Sequence, residues 1–66
     1  MELIINGKAE QLPEGINAAH LIEQLGLSNE RLAMEVNREI VPRSSFETHI
    51  FSPGDQIEIV RANGGG

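Results

Sequence analysis

Cysteine, basic residues and long apolar runs are all scarce in this sequence. The chain contains no cysteine, so no disulfide supports the fold and no thiol can act as a nucleophile or a metal ligand. Its 5 lysine and arginine residues against 10 aspartate and glutamate residues give a net charge of −5. Because nucleic-acid-binding domains concentrate basic side chains, this balance argues against a nucleic-acid partner. An acidic domain is instead steered toward a basic partner.

Targeting and membrane segments are also missing from the sequence pattern. Residues 1–6 have neither the basic region nor the long apolar region of a signal peptide. No apolar run approaches the roughly 20 residues that a transmembrane helix needs. We therefore expect a soluble, cytoplasmic protein with no membrane partner.

The first 26 residues predict a β-hairpin followed by a helix. Asn6 and Gly7 follow a β-branched run, and this dipeptide favours the type I′ turn of a two-residue hairpin, with the return strand over residues 8–12. Asn17 is a candidate helix N-cap, and Gly26 is placed to end the helix. The apolar face of this helix of about two turns is predicted from the spacing of Ala18, Leu21, Ile22 and Leu25.

The second half of the chain predicts two strands separated by an irregular segment. Apolar residues alternate with polar or small ones from Leu32 to Val36 and again from Ile57 to Ile59, which is typical of half-buried strands. A turn over residues 52–55 precedes the last strand. The irregular segment begins at Pro42, and we expect it to be pinned to the core by Phe46, Ile50 and Phe51.

These elements predict an α+β domain over residues 1–62, in which a mixed sheet of four to five strands packs on one main helix. We expect the first and last strands to pair at the centre, as in a β-grasp (ubiquitin-like) fold. Residues 63–66 are predicted to form a flexible C-terminal glycine tail. Pattern alone predicts the elements but not the strand order.

The domain itself is poor in catalytic machinery. His20 and His49 have no motif around them, the carboxylates are dispersed, and no metal-ligand spacing or phosphate-binding glycine loop is present. A core this thin also leaves little room for a deep pocket. We therefore expect a protein that is not an enzyme and that binds no metal.

The glycine tail is the segment with a distinctive chemical capacity. Residues without a Cβ fit a channel only as wide as a backbone, and four extended residues span about 13–14 Å. The tip carries the α-carboxylate of Gly66, which is ionised at neutral pH. Such a carboxylate can attack the α-phosphate of ATP in the active site of a partner, which Gly64 and Gly65 would help it to reach. A frayed terminus is the alternative interpretation.

The sequence contains, in this order, the stretches LIINGK, HLIEQLGL, MEVNREIVPRSSF and SPGDQIEIV and a glycine terminus. Through these pieces it resembles the ThiS family, the small sulfur carrier proteins of thiamine biosynthesis. The similarity covers nearly the whole chain, its pieces occur in the family's order, and the stretch VNREIVPR is the most specific of them. The family commonly ends in two glycines, whereas this chain ends in three.

The resemblance implies a carrier that is modified in trans. A ThiF-like adenylyltransferase would use ATP and magnesium to adenylate the Gly66 carboxylate, and this chain would bind no cofactor itself. Sulfur from a cysteine-desulfurase persulfide would replace AMP to give a thiocarboxylate. Thiazole synthase would then take that sulfur into the thiazole ring.

The strand pattern adds a docking hypothesis. If the apolar residues of each strand face the helix, the residues between them form an outer face that mixes apolar and acidic side chains beside the root of the tail. We expect this face to contact the adenylyltransferase. Its predicted members are Ile4, Ala33, Glu35, Glu58, Val60 and Ala62.

Other functions stay open on the sequence alone. The chain could carry sulfur for molybdopterin or another sulfur-containing metabolite, or it could be conjugated to proteins. It could also be a ubiquitin-like interaction module whose tail has no chemical role. Removing Gly65 and Gly66 distinguishes a carrier or a conjugated modifier, which loses its acceptor activity, from an interaction module, which loses little.

Overall fold

The computed structural model describes residues 1–62; the predicted tail, residues 63–66, lies outside the described residues. Five strands, one α-helix and one 3₁₀ turn follow each other along the chain. In order, they are β1 (Glu2–Ile5), β2 (Lys8–Gln11), α1 (Ala18–Gln24), β3 (Leu32–Val36), β4 (Glu39–Val41), the 3₁₀ turn (Arg43–Ser45) and β5 (Gln56–Arg61). No helix among these 62 residues is long and apolar enough to cross a membrane.

The strands form one mixed sheet with the order β2-β1-β5-β3-β4. The first and last strands are neighbours at the centre, where β1 and β5 run parallel and Ile5 pairs with Ile57. The remaining neighbours are antiparallel. The predicted α+β architecture and the central pairing of the first and last strands are therefore confirmed.

The first hairpin forms where the sequence predicts it. Asn6 and Gly7 have φ angles of 51° and 82°, the left-handed values that a two-residue type I′ turn needs. Ile5 pairs with Lys8 directly across the turn. The return strand ends at Gln11, one residue earlier than predicted.

The helix begins at the predicted cap. The side chain of Asn17 accepts a hydrogen bond of 2.8 Å from the backbone N–H of His20, which satisfies one of the donors that the first helical turn leaves free. Ala18, Leu21 and Ile22 are buried against the sheet, as predicted. The short helix thus owes its stability mainly to this packed face.

The helix ends in a Schellman motif. Gly26 has a φ of 74°, its N–H donates to the carbonyl of Glu23, and the N–H of Leu27 donates to the carbonyl of Ile22 at 2.9 Å. The prediction that Leu25 belongs to the buried face is wrong, because the helix stops at Gln24 and Leu25 is the cap residue at the periphery, 39% exposed.

A second hairpin was not predicted. Asn37 and Arg38 both have positive φ, 51° and 71°, and they turn the chain from β3, the predicted strand, back into β4, which the sequence pattern did not predict. The Asn37 side chain stabilises the turn from outside, since its amide donates to the Asp55 carboxylate and its oxygen accepts from the N–H of Gln56. The sheet therefore has five strands.

The core fills the space between the helix and one face of the sheet. The segment after β4 contributes Phe46 and Phe51, as predicted, but Ile50 is 62% exposed and that part of the prediction is wrong. Residues 49–51 pair in an extended conformation with the chain before α1, and Phe51 takes the inward position, so Ile50 points outward. The buried hydrophobic residues are Leu3, Ile5, Leu12, Ile16, Ala18, Leu21, Ile22, Met34, Val36, Val41, Phe46, Phe51, Ile57 and Ile59.

Candidate functional site

The root of the predicted tail is held to β3. Strand β5 ends at Arg61, which pairs with Leu32, and the N–H of Ala62 donates a hydrogen bond of 2.7 Å to the carbonyl of Arg31. This bond extends the ladder one residue beyond the strand. The path of the chain is therefore fixed up to Ala62, and the predicted channel residues Gly64, Gly65 and Gly66 lie outside the described residues.

The other edge of β5 is held by a side chain. The parallel pairing of β1 with β5 reaches only Ile57, and Asn6 continues it: its Oδ1 accepts from the N–H of Ile59 at 2.8 Å, and its Nδ2 donates to the Ile59 carbonyl at 3.3 Å. An asparagine side chain presents the same donor and acceptor as a peptide unit. The turn of the first hairpin thus holds β5 at Ile59.

The sheet face opposite the helix contains the predicted docking residues. Along β5, the buried Ile57 and Ile59 alternate with the exposed Glu58 and Val60, and Val60 is 64% exposed. The register places Ala33 opposite Val60. The predicted residues therefore come together on one face, although Ile4 is half-buried there. Contact of this face with a partner stays a prediction.

Two glutamates meet at the middle of this face. Glu35 and Glu58 are directly opposite each other in the β3–β5 ladder. Like charges in that position destabilise a sheet. Neither carboxylate has an ion-pair partner among residues 1–62, where Arg61 and Glu30 form the single pair, at 4.0 Å. The arrangement costs stability and leaves two adjacent carboxylates available to a cationic partner.

Sequence reasoning missed Ile40 as a member of this face. It pairs with Glu35 in the β3–β4 ladder and is 73% exposed. The alternation of Glu39, Ile40 and Val41 carries the signal, but it is readable only once β4 is recognised as a strand. Ile40 adds a large apolar side chain beside the glutamate pair.

Charge on this face has one sign. We call it the outer face and define it by the strand residues that alternate with the buried ones. Three of them are glutamates and none is lysine or arginine. The members are Glu2, Ile4, Ala9, Gln11, Ala33, Glu35, Ile40, Gln56, Glu58 and Val60. A partner that combines apolar contacts with arginine or lysine would be complementary to it.

The described residues hold no cluster of side chains suited to metal binding. No group of three or more histidine, cysteine or carboxylate side chains within residues 1–62 is placed to hold a metal ion. His49 packs edge-on against the ring of Phe51, with ring centroids 5.2 Å apart. His20 lies in the first turn of the helix, with its side chain exposed. The outer face and the root of the tail are thus the features that point to function.

Comparison with known proteins gives concordant results. The sequence model of the ThiS family matches residues 2–66. The sulfur carrier protein ThiS of Escherichia coli is 35% identical over 66 residues, which cover 100% of both chains. A thiazole synthase of Paramagnetospirillum magneticum is 38% identical over 66 residues, which cover 100% of this chain and 20% of that protein. The chain therefore spans about a fifth of the length of this thiazole synthase.

A solved structure is similar over its whole length. The crystal structure of a thiamine biosynthesis protein (ThiS) from Geobacter metallireducens superposes with a TM-score of 0.85 at 29% identity, covering 100% of both chains. This similarity confirms the β-grasp fold. Because the family match also extends over almost every residue, from the first strand to the terminal glycines, the chain belongs to the ThiS family.

Proposed function

We propose that this protein is a sulfur carrier of thiamine biosynthesis. The observation that carries the proposal is the match to the ThiS family through residue 66, together with the full-length similarity to the sulfur carrier of Escherichia coli. The match includes the glycines on which the chemistry depends. The protein acts as a cosubstrate, and catalysis is supplied by its partners.

The chemistry takes place at the Gly66 carboxylate. In a ThiF-like adenylyltransferase, a carboxylate oxygen attacks the α-phosphate of ATP, magnesium offsets the phosphate charge, and pyrophosphate leaves. The acyl-adenylate is then attacked by the terminal sulfur of a cysteine-desulfurase persulfide, and AMP leaves. A thiol reduces the resulting acyl disulfide, which releases the thiocarboxylate on Gly66.

The geometry of β5 suits this role. Asn6 holds the strand at Ile59 on one side, β3 pairs with it to its end at Arg61 on the other, and the last hydrogen bond is made by Ala62. The folded domain therefore offers a rigid base from which the four following residues reach about 13–14 Å when extended. Ordering those residues costs on the order of 1–2 kcal/mol each, which docking of the domain must offset.

Docking is assigned to the outer face. Its glutamates and apolar residues fit a partner surface that presents arginine or lysine beside apolar side chains. The repulsion between Glu35 and Glu58 would be relieved by a cation placed between them. The adenylyltransferase is the proposed partner of this face.

Thiazole synthase is the proposed acceptor of the sulfur. Thiazole synthases of Paramagnetospirillum magneticum and Magnetococcus marinus contain a segment that matches this chain at 38% and 32% identity. A carrier-like segment within the same polypeptide as the synthase supports a direct transfer between the two.

Intact-mass spectrometry tests the carrier function. The protein is incubated with the adenylyltransferase, ATP, magnesium, a cysteine desulfurase, cysteine and a thiol reductant. We expect an oxygen-to-sulfur mass increase that fragmentation locates on Gly66. The matched control lacks Gly65 and Gly66 and should keep its circular dichroism spectrum while showing no mass change. An unmodified full-length protein, with a known carrier modified in parallel, would contradict the proposal.

A further inference from the structure

The Arg43 side chain forms hydrogen bonds to the loop that leads into β3. Arg43, in the 3₁₀ turn after β4, donates from Nη1 to the carbonyl of Glu30 at 3.2 Å and from Nη2 to the carbonyl of Ser28 at 3.3 Å. Its guanidinium carbon lies 5.9 Å from the ring centroid of the buried Phe46. The arginine thus rests on the core and reaches outward to two backbone carbonyls.

The same loop receives the start of the tail. We call residues 28–31 the entry loop, because β3 begins directly after them. The carbonyl of Arg31 accepts the hydrogen bond from Ala62, the last described residue. Arg43 and Ala62 therefore bind neighbouring carbonyls of one four-residue loop. The Arg61–Glu30 ion pair also crosses here, but both side chains are exposed and it adds little.

Arginine has the shape that this contact requires. Its planar guanidinium presents several N–H groups in a fixed fork, so it can bind two carbonyls that are two residues apart. Lysine has the same charge but places it at one point on a flexible stem. The two bonds from Arg43 immobilise the entry loop at its first and third residues, and the carbonyl of Arg31 is the next acceptor along the chain.

We propose that Arg43 is a positioning residue for the tail: by holding the entry loop, it fixes the point and direction in which the chain leaves the sheet after Ala62. Arg43 acts through the loop and does not itself take part in the reaction. The consequence for sulfur loading rests on the proposed carrier function, whereas the mechanical link between Arg43 and Ala62 does not.

Amide hydrogen exchange tests the mechanical link in the isolated protein. In Arg43→Met, which keeps the apolar stem, we expect the Ala62 amide to exchange about five- to tenfold faster, because hydrogen bonds that involve a charged donor are lost from the loop that holds it. The Ile59 amide, which is bonded to Asn6, should change less than twofold, about the limit expected for a site that is only indirectly coupled. Arg43→Lys should lie between the two proteins.

Arg38→Met is the matched control. It removes the same charge from the β3–β4 turn, at the opposite end of β3 from the entry loop. We expect the Ala62 exchange rate to stay that of the wild type. An unchanged Ala62 rate in Arg43→Met, or an equal acceleration in Arg38→Met, would overturn the link. Equal acceleration of every amide would show a general loss of stability and would also overturn it; Arg43→Lys decides the matter if Arg43→Met fails to fold.

Adenylation kinetics test the functional consequence. The outer face is intact in Arg43→Met, so KM should stay within about twofold, while kcat falls about threefold or more because the carboxylate is presented in fewer productive orientations. Arg43→Lys should recover part of kcat. Wild-type kcat in Arg43→Met, despite faster Ala62 exchange, would overturn the positioning role. If the wild-type chain is not adenylated at all, the carrier function fails, and the exchange data still decide the link.

Discussion

Asn6 stabilises this domain through both its backbone and its side chain. Its backbone adopts the left-handed conformation of the first turn, with a φ of 51°, and its side chain supplies a donor and an acceptor to Ile59. The first property is readable from the Asn-Gly dipeptide. The second depends on a residue 53 positions away and is visible only in the folded chain.

Two substitutions separate these contributions. Asn6→Gly keeps the backbone conformation but loses both side-chain bonds, and should lower the free energy of unfolding by about 1–2 kcal/mol. Asn6→Ala also imposes left-handed strain and should cost about 1 kcal/mol more. Urea unfolding measures both values. Equal losses in the two variants would show that the backbone conformation contributes nothing at this position.

The glutamate pair predicts that stability and function move in opposite directions. Glu35→Lys replaces the repulsion with Glu58 by an attractive cross-strand pair, so the free energy of unfolding should rise by about 0.2–1 kcal/mol. The same change reverses the charge at the centre of the outer face, so KM for adenylation should rise about threefold or more.

Glu14→Lys is the control for this prediction. It makes the same charge change in the exposed loop before the helix, away from the outer face. We expect both its stability and its KM to remain close to those of the wild type. A Glu35→Lys protein with unchanged adenylation kinetics would remove the outer face from the docking proposal.

Among the elements, strand β5 contributes one face to the hydrophobic core and the opposite face to the proposed docking surface. Ile57 is buried in the core, and Val60, three residues on, is exposed on the outer face. Ile57 pairs with β1 and β3, and Val60 pairs with β3. A register shift of one residue would exchange the two faces of β5. The pairing partners on either side exclude that shift.

Alanine substitutions along β5 should divide in the same way. Ile57→Ala leaves a cavity in the core and should lower the free energy of unfolding by about 2–5 kcal/mol. Val60→Ala should change it by no more than about 0.5 kcal/mol, but should raise KM for adenylation because an exposed apolar contact is lost. Thermal unfolding and adenylation assays on both variants check this division. A large stability loss in Val60→Ala would mean that the outer face has a structural role.

The elements differ in how far the sequence predicts them. The first hairpin and the helix were predicted because their signals are local: Asn6-Gly7 at the turn, Asn17 at the cap and Gly26 at the end. The second hairpin was missed because Arg38 adopts a positive φ that the sequence rules reserve mainly for glycine, asparagine and aspartate.

Because the second hairpin was not predicted, the predicted docking face lacked one of its members. The β3–β4 turn is stabilised because the Asn37 side chain donates to Asp55 and accepts from Gln56, residues 18 and 19 positions away, so no local sequence pattern indicates it. Without β4, Ile40 could not be assigned to the outer face of the sheet. The central pairing of the first and last strands was expected by analogy with the β-grasp arrangement, and the full strand order is visible only in the structure, since alternation alone does not specify which strands are neighbours.

The whole molecule is acidic, and the outer face concentrates this property. A net charge of −5 and a face with glutamates and no basic residue should accelerate encounter with a basic partner. Such steering is screened by salt. This long-range attraction should be observable independently of the chemistry at the tail.

Ionic strength therefore offers a test on the intact protein. Between about 0.05 and 0.5 M NaCl, KM for adenylation should rise about threefold or more, while kcat changes little. The Glu35→Lys protein should show a flatter dependence. A KM that is independent of salt in the wild type would indicate that docking relies on apolar contacts alone.

The parallel pairing of β1 with β5 also has a practical consequence. Both strands point the same way, so Met1 and Ala62 are separated by the length of the sheet. A dye or immobilisation handle joined to the amino end through a short spacer would stand clear of the exit at Ala62. Such a handle would replace the Met1 ammonium, which donates a hydrogen bond of 2.6 Å to the Leu12 carbonyl.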